Sequence, residues 1–261
     1  MSQSGENQPV YGDNILSNSD VKSMNTALTE ALLSLSNQTD QQAQATQQDI
    51  KSLKNIAYGV IASDKPSEFK EPLKNIKSRL ENASKYNQQF IDILSELEKS
   101  EHVDLSNEIK QVKEANNSIN DNLKSTNQLI DALSNGSSGQ LEAVNVLRDL
   151  PNLNKRLDTL RNYIKKELNR NLLAVSNEIT DQLNKGQNTL STIQSKLNTI
   201  NRVINAGQDI LNSGKKRIDT IQTALPAIEN AYINAMRTAQ AYFPTAKKDV
   251  AKAADFVRDR K

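Results

Sequence analysis

Cysteine is absent from this chain, so disulfides, iron–sulfur clusters and thiolate chemistry are excluded at the outset. Tryptophan is absent too, and aromatic residues make up only 4 % of the 261 residues. Hydrophobic residues total 36 %, below the roughly 45–50 % of an ordinary globular domain. A chain this poor in apolar side chains either stays unfolded or folds as a thin bundle with a narrow seam to bury. Gly and Pro, at 8 and 6, leave few places to break a helix. Charge of one sign is lacking as well. The 33 basic and 31 acidic residues give a net charge of +2, so electrostatics make no case for nucleic acid as a partner. No apolar run approaches the ~18 residues of a bilayer span. The opening, MSQSGENQPVYGDN, has neither the basic nor the apolar region of a signal peptide. The ending, AADFVRDRK, still reads as helix. We therefore expect a segment excised from a longer protein, with Met1 an added start.

Catalytic chemistry finds no foothold. His102 is the only histidine, and one imidazole cannot build the usual histidine metal site. It sits at a break in the helical pattern, where a Ser–His dyad would have little to shield it. There is no Gly-rich phosphate loop. Glu96, Glu98 and Glu101 read as a solvated helix face rather than an acid/base pair. Lys215-Lys216-Arg217 and Lys247-Lys248 are short basic runs with little aromatic interleaving. The expectation is a non-enzymatic protein with no cofactor and no metal.

What is present is helical periodicity. Residues 1–17 are polar, carry Gly5, Pro9 and Gly12, and read as a flexible linker. A helix over 19–61 follows from Val21, Met24, Leu28, Leu32 and Leu35, then Ile50, Leu53, Ala57 and Val60, at steps mostly of three and four. Its middle, NQTDQQAQATQQD, is almost wholly polar and is expected to pack weakly. Pro66 marks the next start, with 71 an alternative because Pro72 follows. Periodicity then covers 67–133, from Phe69 and Leu73 to Ile130 and Leu133. It lapses at 100–104, either as a turn or as an irregularity in one long helix. Ser134-Asn-Gly-Ser-Ser-Gly-Gln140 has the chemistry of a helix C-cap and reversal. Helices are expected over 140–150, 152–225 and 227–260, divided by Pro151 and Pro226.

The most regular signal lies near the end. Counting sevens from Leu183 gives Leu190, Leu197, Ile204, Leu211, Ile218, Leu225, Tyr232 and Ala239. Counting from Gly186 gives Ile193, Ile200, Gly207, Gly214, Ile221, Ile228, Ala235 and Tyr242. None is charged, and a seam at 3.5-residue spacing belongs to a coiled coil or bundle. Leu183, Gly186, Leu190, Ile193, Leu197, Ile200, Ile204, Gly207, Leu211, Gly214, Ile218 and Ile221 form its core. A mid-helix Gly costs about 1 kcal/mol relative to Ala, and Gly186, Gly207 and Gly214 suggest close approach of a neighbouring backbone. That neighbour is the same chain or, in a homodimer, a second copy. Tyr232, Tyr242 and Phe243 are expected to widen the core locally.

The fold class expected is all-α, an elongated antiparallel coiled-coil or helical-bundle rod with a hairpin tip near 134–140. Residues 18–261 form one rod. If each arm beside the tip, 67–133 and 140–205, is unbroken, its ~65 residues reach about 100 Å. The helix 19–61 is expected along the end away from the tip. Asn135, Gly136, Ser137 and Ser138 form the candidate exposed tip, where recognition tends to sit.

Two features carry a family resemblance. One is the pair of Leu-x-x-Gly units at Leu183–Gly186 and Leu211–Gly214 within the heptads. The other is Ala-Leu-Pro-Ala-Ile-Glu at 224–229, followed by Tyr-Phe-Pro at 242–244 and Ala-Ala-Asp-Phe-Val-Arg at 253–258. Together they resemble the extracellular region of the YhgE/Pip, or phage infection protein, family of Gram-positive bacteria, over 180–261. The resemblance implies a cell-membrane protein anchored by segments outside this chain, with an ectodomain projecting through the cell wall. It implies protein partners such as phage tail proteins, or, for the related EsaA type, type VII secretion components. It assigns no catalytic residue. Two other readings stand beside it. A secreted helical effector or pore-forming toxin would need a concealed apolar hairpin, for which the 134–140 tip is too polar. An intracellular coiled-coil scaffold would need a full-length product without membrane segments.

Overall fold

The computed structural model describes residues 18–184, 195–196, 198–210 and 212–213. Helix α1 spans Asn18–Ala62. A 3-10 turn over Pro66–Phe69 leads into α2, Lys70–Glu101. α3 spans Ser106–Ser134 and α4 spans Gln140–Tyr163. A π turn over Ile164–Leu168 joins α4 to α5, Asn169–Asn184. Residues 198–210 are helical and are called α6. The chain is all-α, and its helices pack on one another as a bundle.

Cross-helix bonds fix the topology. Between α1 and α4–α5 the partners run in opposite directions. Ile61 O accepts from Gln140, Gln47 donates to Asp158, Ser36 donates to Asn169, and Thr29 meets Ser176. Asp49 with Arg79 and Thr39 with Tyr86 set α1 against α2. Ser84 with Asn120 sets α2 against α3, and Arg156 with Glu114 sets α3 against α4. The result is an antiparallel four-helix bundle in which α1, α2, α3 and α4–α5 each touch two neighbours.

This topology corrects the expected arms. Residues 67–133 are two helices, because the chain reverses at 102–105 and α3 returns along α2. No Gly or Pro marks that reversal. His102 adopts the left-handed conformation instead, at φ 55° and ψ 40°, a position that usually takes Gly or Asn because other side chains crowd the backbone there. The new helix is held from both sides. Glu98 accepts from the Leu105 amide at 2.8 Å, and Asp104 accepts from the Ser106 amide and hydroxyl. The ~100 Å arm over 67–133 is therefore absent, and α1, with 45 residues, measures about 68 Å. Nor is α1 confined to the end away from the tip, since Ile61 lies beside Gln140.

Pro151 does not divide the chain into helices 140–150 and 152–225. α4 runs straight through it. Pro151 and Asn152 face outward, while Leu147, Leu150, Leu153 and Leu157 hold both halves on one buried stripe. The stripe then passes Leu160, Ile164, Leu168 and Leu172, all buried and all four apart. Three steps of four overshoot an α-helix of 3.6 residues per turn by about 120°. The π turn over Ile164–Leu168 takes up roughly one residue and keeps the stripe facing inward.

The polar middle of α1 is packed rather than loose. Ser36, Gln38, Thr39, Gln42, Thr46 and Asp49 are buried alongside Ala43 and Ala45. The two threonine hydroxyls are satisfied locally, Thr39 donating to Leu35 O at 2.8 Å and Thr46 to Gln42 O at 2.9 Å, while Ser36 donates to Asn169. A buried polar group costs little once bonded, so most of this run packs at small cost, while the Gln38 side-chain nitrogen finds no hydrogen-bond partner among the described residues.

Candidate binding surface

The bundle has two unlike poles. At one, α1 begins and α5 ends: Asn25 on α1 bonds Asn177 and Thr180 on α5. The 102–105 reversal lies at the same pole, because Lys196 bridges Glu101, at the end of α2, and Gln182, on α5. At the opposite pole lie the 63–65 connection and the 135–139 loop, tied by the bond from Gln140 to Ile61 O.

Asn135–Ser138 is exposed along its whole length. Its backbone is nevertheless fixed. Ser137 N donates to Ala132 O and Gly136 N to Leu133 O, with Gly136 left-handed at φ 77°. That pairing is a Schellman motif, which satisfies carbonyls stranded at a helix end. Gly139 is also left-handed, at φ 68°, and is buried against Leu129 and Leu133. Its carbonyl accepts from Ala143 N at 2.8 Å, which opens α4. The tip is thus a polar loop on a rigid base. Leu141 stands just behind it, 70 % exposed.

The structure places only part of the heptad seam. Leu183 lies at the end of α5, and Ile200, Ile204 and Gly207 lie in α6. Gly186, Leu190, Ile193, Leu197, Leu211, Gly214, Ile218 and Ile221 lie outside the described residues, as do Pro226, Tyr232, Tyr242, Phe243 and the helix over 227–260. Within α6 the buried stripe is Ile200, Val203, Gly207 and Ile210, with Ile204 half-buried at its edge. A single helix lying on a finished bundle is free of the strict 3.5 repeat, so its stripe drifts by one residue from the count of sevens. Gly207 faces α1 of its own chain, but what it meets is a side chain. A Cβ there would come to 3.4 Å from the Leu35 side chain, a tight but ordinary contact rather than a backbone approach. Arg202 with Glu96 at 2.9 Å and Lys196 with Glu101 at 2.5 Å bind this part of the chain to α2.

Sequence reasoning missed the buried polar contacts between helices. Glu108, buried on α3, accepts from the Tyr163 hydroxyl at 2.9 Å and from Asn171 at 2.6 Å, two residues that flank the π turn. Burial pushes the Tyr163 hydroxyl above its ordinary pKa, and the adjacent Glu108 carboxylate adds to the effect. Burial likewise raises Tyr86, with the Thr39 bond opposing. The fourfold spacing at 160–172 is the one sequence signal that points to the π turn.

His102 sits at the 102–105 reversal. The Asp104 carboxyl is held below its ordinary range by its two bonds from Ser106. Among the described residues no group of three or more His, Cys, Asp or Glu is placed to hold a metal ion, and no helix is long and apolar enough to cross a membrane. Comparisons of the chain with protein-family models, with curated proteins and with solved structures return no match.

Proposed function

We propose that this chain is a projecting, non-enzymatic module that presents the Asn135–Ser138 tip to a protein partner. In this reading it is the stalk of a Gram-positive cell-surface protein of the YhgE/Pip kind. Phage tail proteins or secretion components are the class of partner. One observation carries the proposal. The four-helix unit is entered at α1 and left at α5 from the same pole, while its rigid polar loop caps the other. Asn135–Ser138 at that loop are exposed along their whole length, so this end of the bundle is open to a partner. Long antiparallel helices give the most reach per residue that still buries a seam.

Two measurements test it. The gene is sequenced on both sides of this segment, where apolar stretches of about 20 residues are expected before it and after it. Tailed phages of Gram-positive hosts are then offered cells in the presence of the soluble chain. The reading expects wild type to block adsorption and a chain with Asn135–Ser138 replaced by Gly-Gly-Gly-Gly to lose that block. Flanks without apolar stretches would sink the surface-stalk reading. Equal competition by both chains would sink the tip.

A further inference from the structure

A groove of about 230 Å³ runs between α1 and α4, next to the tip pole. Buried Ile50, Leu147 and Leu150 contribute its apolar wall. Exposed Lys51 and Lys54 stand along its α1 side with half-buried Tyr58, and the Lys54 ammonium lies 6.0 Å from the Tyr58 ring centre. None of the side chains lining it is acidic. Among the described residues Lys51 forms no ion pair, whereas Lys74, Lys77 and Lys196 each meet a glutamate.

The groove has a local cause. Pro151 lines it, and a proline ring cannot approach the carbonyl four residues earlier, here that of Leu147, nor donate to it. The Leu147 carbonyl therefore lacks its helical donor.

We propose that this groove binds a small amphipathic monoanion. An aryl or short alkyl body would lie on Ile50, Leu147 and Leu150, with its carboxylate between the Lys51 and Lys54 ammoniums. The size argues for one ring with a substituent, since a cavity of about 150 Å³ already holds benzene. The charge argues for an anion, because two ammoniums border an apolar wall with no carboxylate among the lining side chains. The site is independent of the tip and of the surface-stalk reading.

The test uses the whole chain and two probe pairs, 4-ethylbenzoate with 4-ethylbenzyl alcohol and hexanoate with hexanol. Backbone amide NMR shifts are followed during titration. A carboxylate probe is expected to shift amides of 47–58 and 147–154 saturably, with a Kd at or below about 1 mM. Its alcohol should bind about tenfold more weakly. The double variant Lys51→Ala/Lys54→Ala should weaken the carboxylate about tenfold and leave the alcohol unchanged. Asn154→Trp, an outward-facing change at the groove mouth, should abolish both. Both variants lie on the surface, and unchanged circular dichroism verifies their fold. No saturable shift in these segments at about 10 mM probe would overturn the site. Equal binding of acid and alcohol, or indifference to the lysine changes, would overturn its assignment to an anion.

Discussion

Arg79 Nε donates to Asp49 Oδ1 at 2.8 Å, between side chains that are 5 % and 0 % exposed. This ion pair joins α1 to α2, as the Thr39–Tyr86 contact does further along the same pair of helices. Removing one partner of a buried pair strands a charge and costs about 3–5 kcal/mol, while replacing both by apolar residues is often neutral. Arg79→Met alone should therefore lower stability by that amount. Asp49→Leu combined with Arg79→Met should recover most of it. Urea denaturation of the two variants decides the matter. Equal loss in both would mean that the pair supplies net stability rather than register.

Three glycines should respond differently to substitution. At Gly59 a Cβ would stand 2.5 Å from Phe69 Cζ, so Gly59→Ala should cost about 1–3 kcal/mol despite its better helix propensity. Phe69→Leu in the same chain should relieve part of the cost, a coupling that a double-mutant cycle measures. Gly139→Ala meets both a left-handed backbone and Leu133 at 2.9 Å, and should cost at least 1–2 kcal/mol by order of magnitude. Gly136 is left-handed with open space around it, so Gly136→Asn should be close to neutral in thermal melts.

Pro151 lies inside α4, where a proline costs about 3 kcal/mol relative to alanine. Part of that is returned because proline restricts the unfolded chain, by about 0.4–1 kcal/mol. Pro151→Ala should stabilise the bundle by about 1–2 kcal/mol in urea titrations, once partial relaxation of the helix is allowed for. It should also weaken carboxylate binding in the α1/α4 groove if the proline holds that turn open.

Alkali should unfold the bundle through two tyrosines. Tyr86 and Tyr163 hold their protons more tightly when folded, both chiefly through burial. The unfolded chain releases these protons near pH 10. Above that pH it binds fewer protons than the folded chain, so stability falls as pH rises. The contribution of both groups is complete below about pH 10 and is lost as pH climbs past it. Absorbance at tyrosinate wavelengths should show these two ionising together with the loss of helix. Tyr163→Phe should make the alkaline slope shallower.

Local chemistry made much of the architecture legible. The 3.6-residue period located α1, and Pro66 placed the start of the 3-10 turn that leads into α2. Asn135-Gly136 foretold the Schellman turn because only a residue at ease with positive φ closes it. The reversal at 102–105 was ambiguous because His102 does a glycine's task, a cost accepted only when packing on both sides fixes the turn. The polar run 37–49 looked loose because its partners, Arg79, Tyr86, Asp158 and Arg161, are distant in sequence. Pro151 read as a break because a lone helix would break there, and its leucine neighbours outweigh that preference.

The sequence by itself determined that this protein is helical, where α1 and the 134–140 turn fall, and that it has no thiol chemistry. Those properties depend on residues within a turn or two of each other, or on composition alone. Tertiary structure decided that 67–133 folds back on itself, that polar α1 is core, that one π turn keeps α5 in register, and that α1 and α4 enclose a groove. Each depends on which distant face arrives opposite, and an antiparallel bundle brings together residues more than a hundred positions apart, such as Asp40 and Arg161.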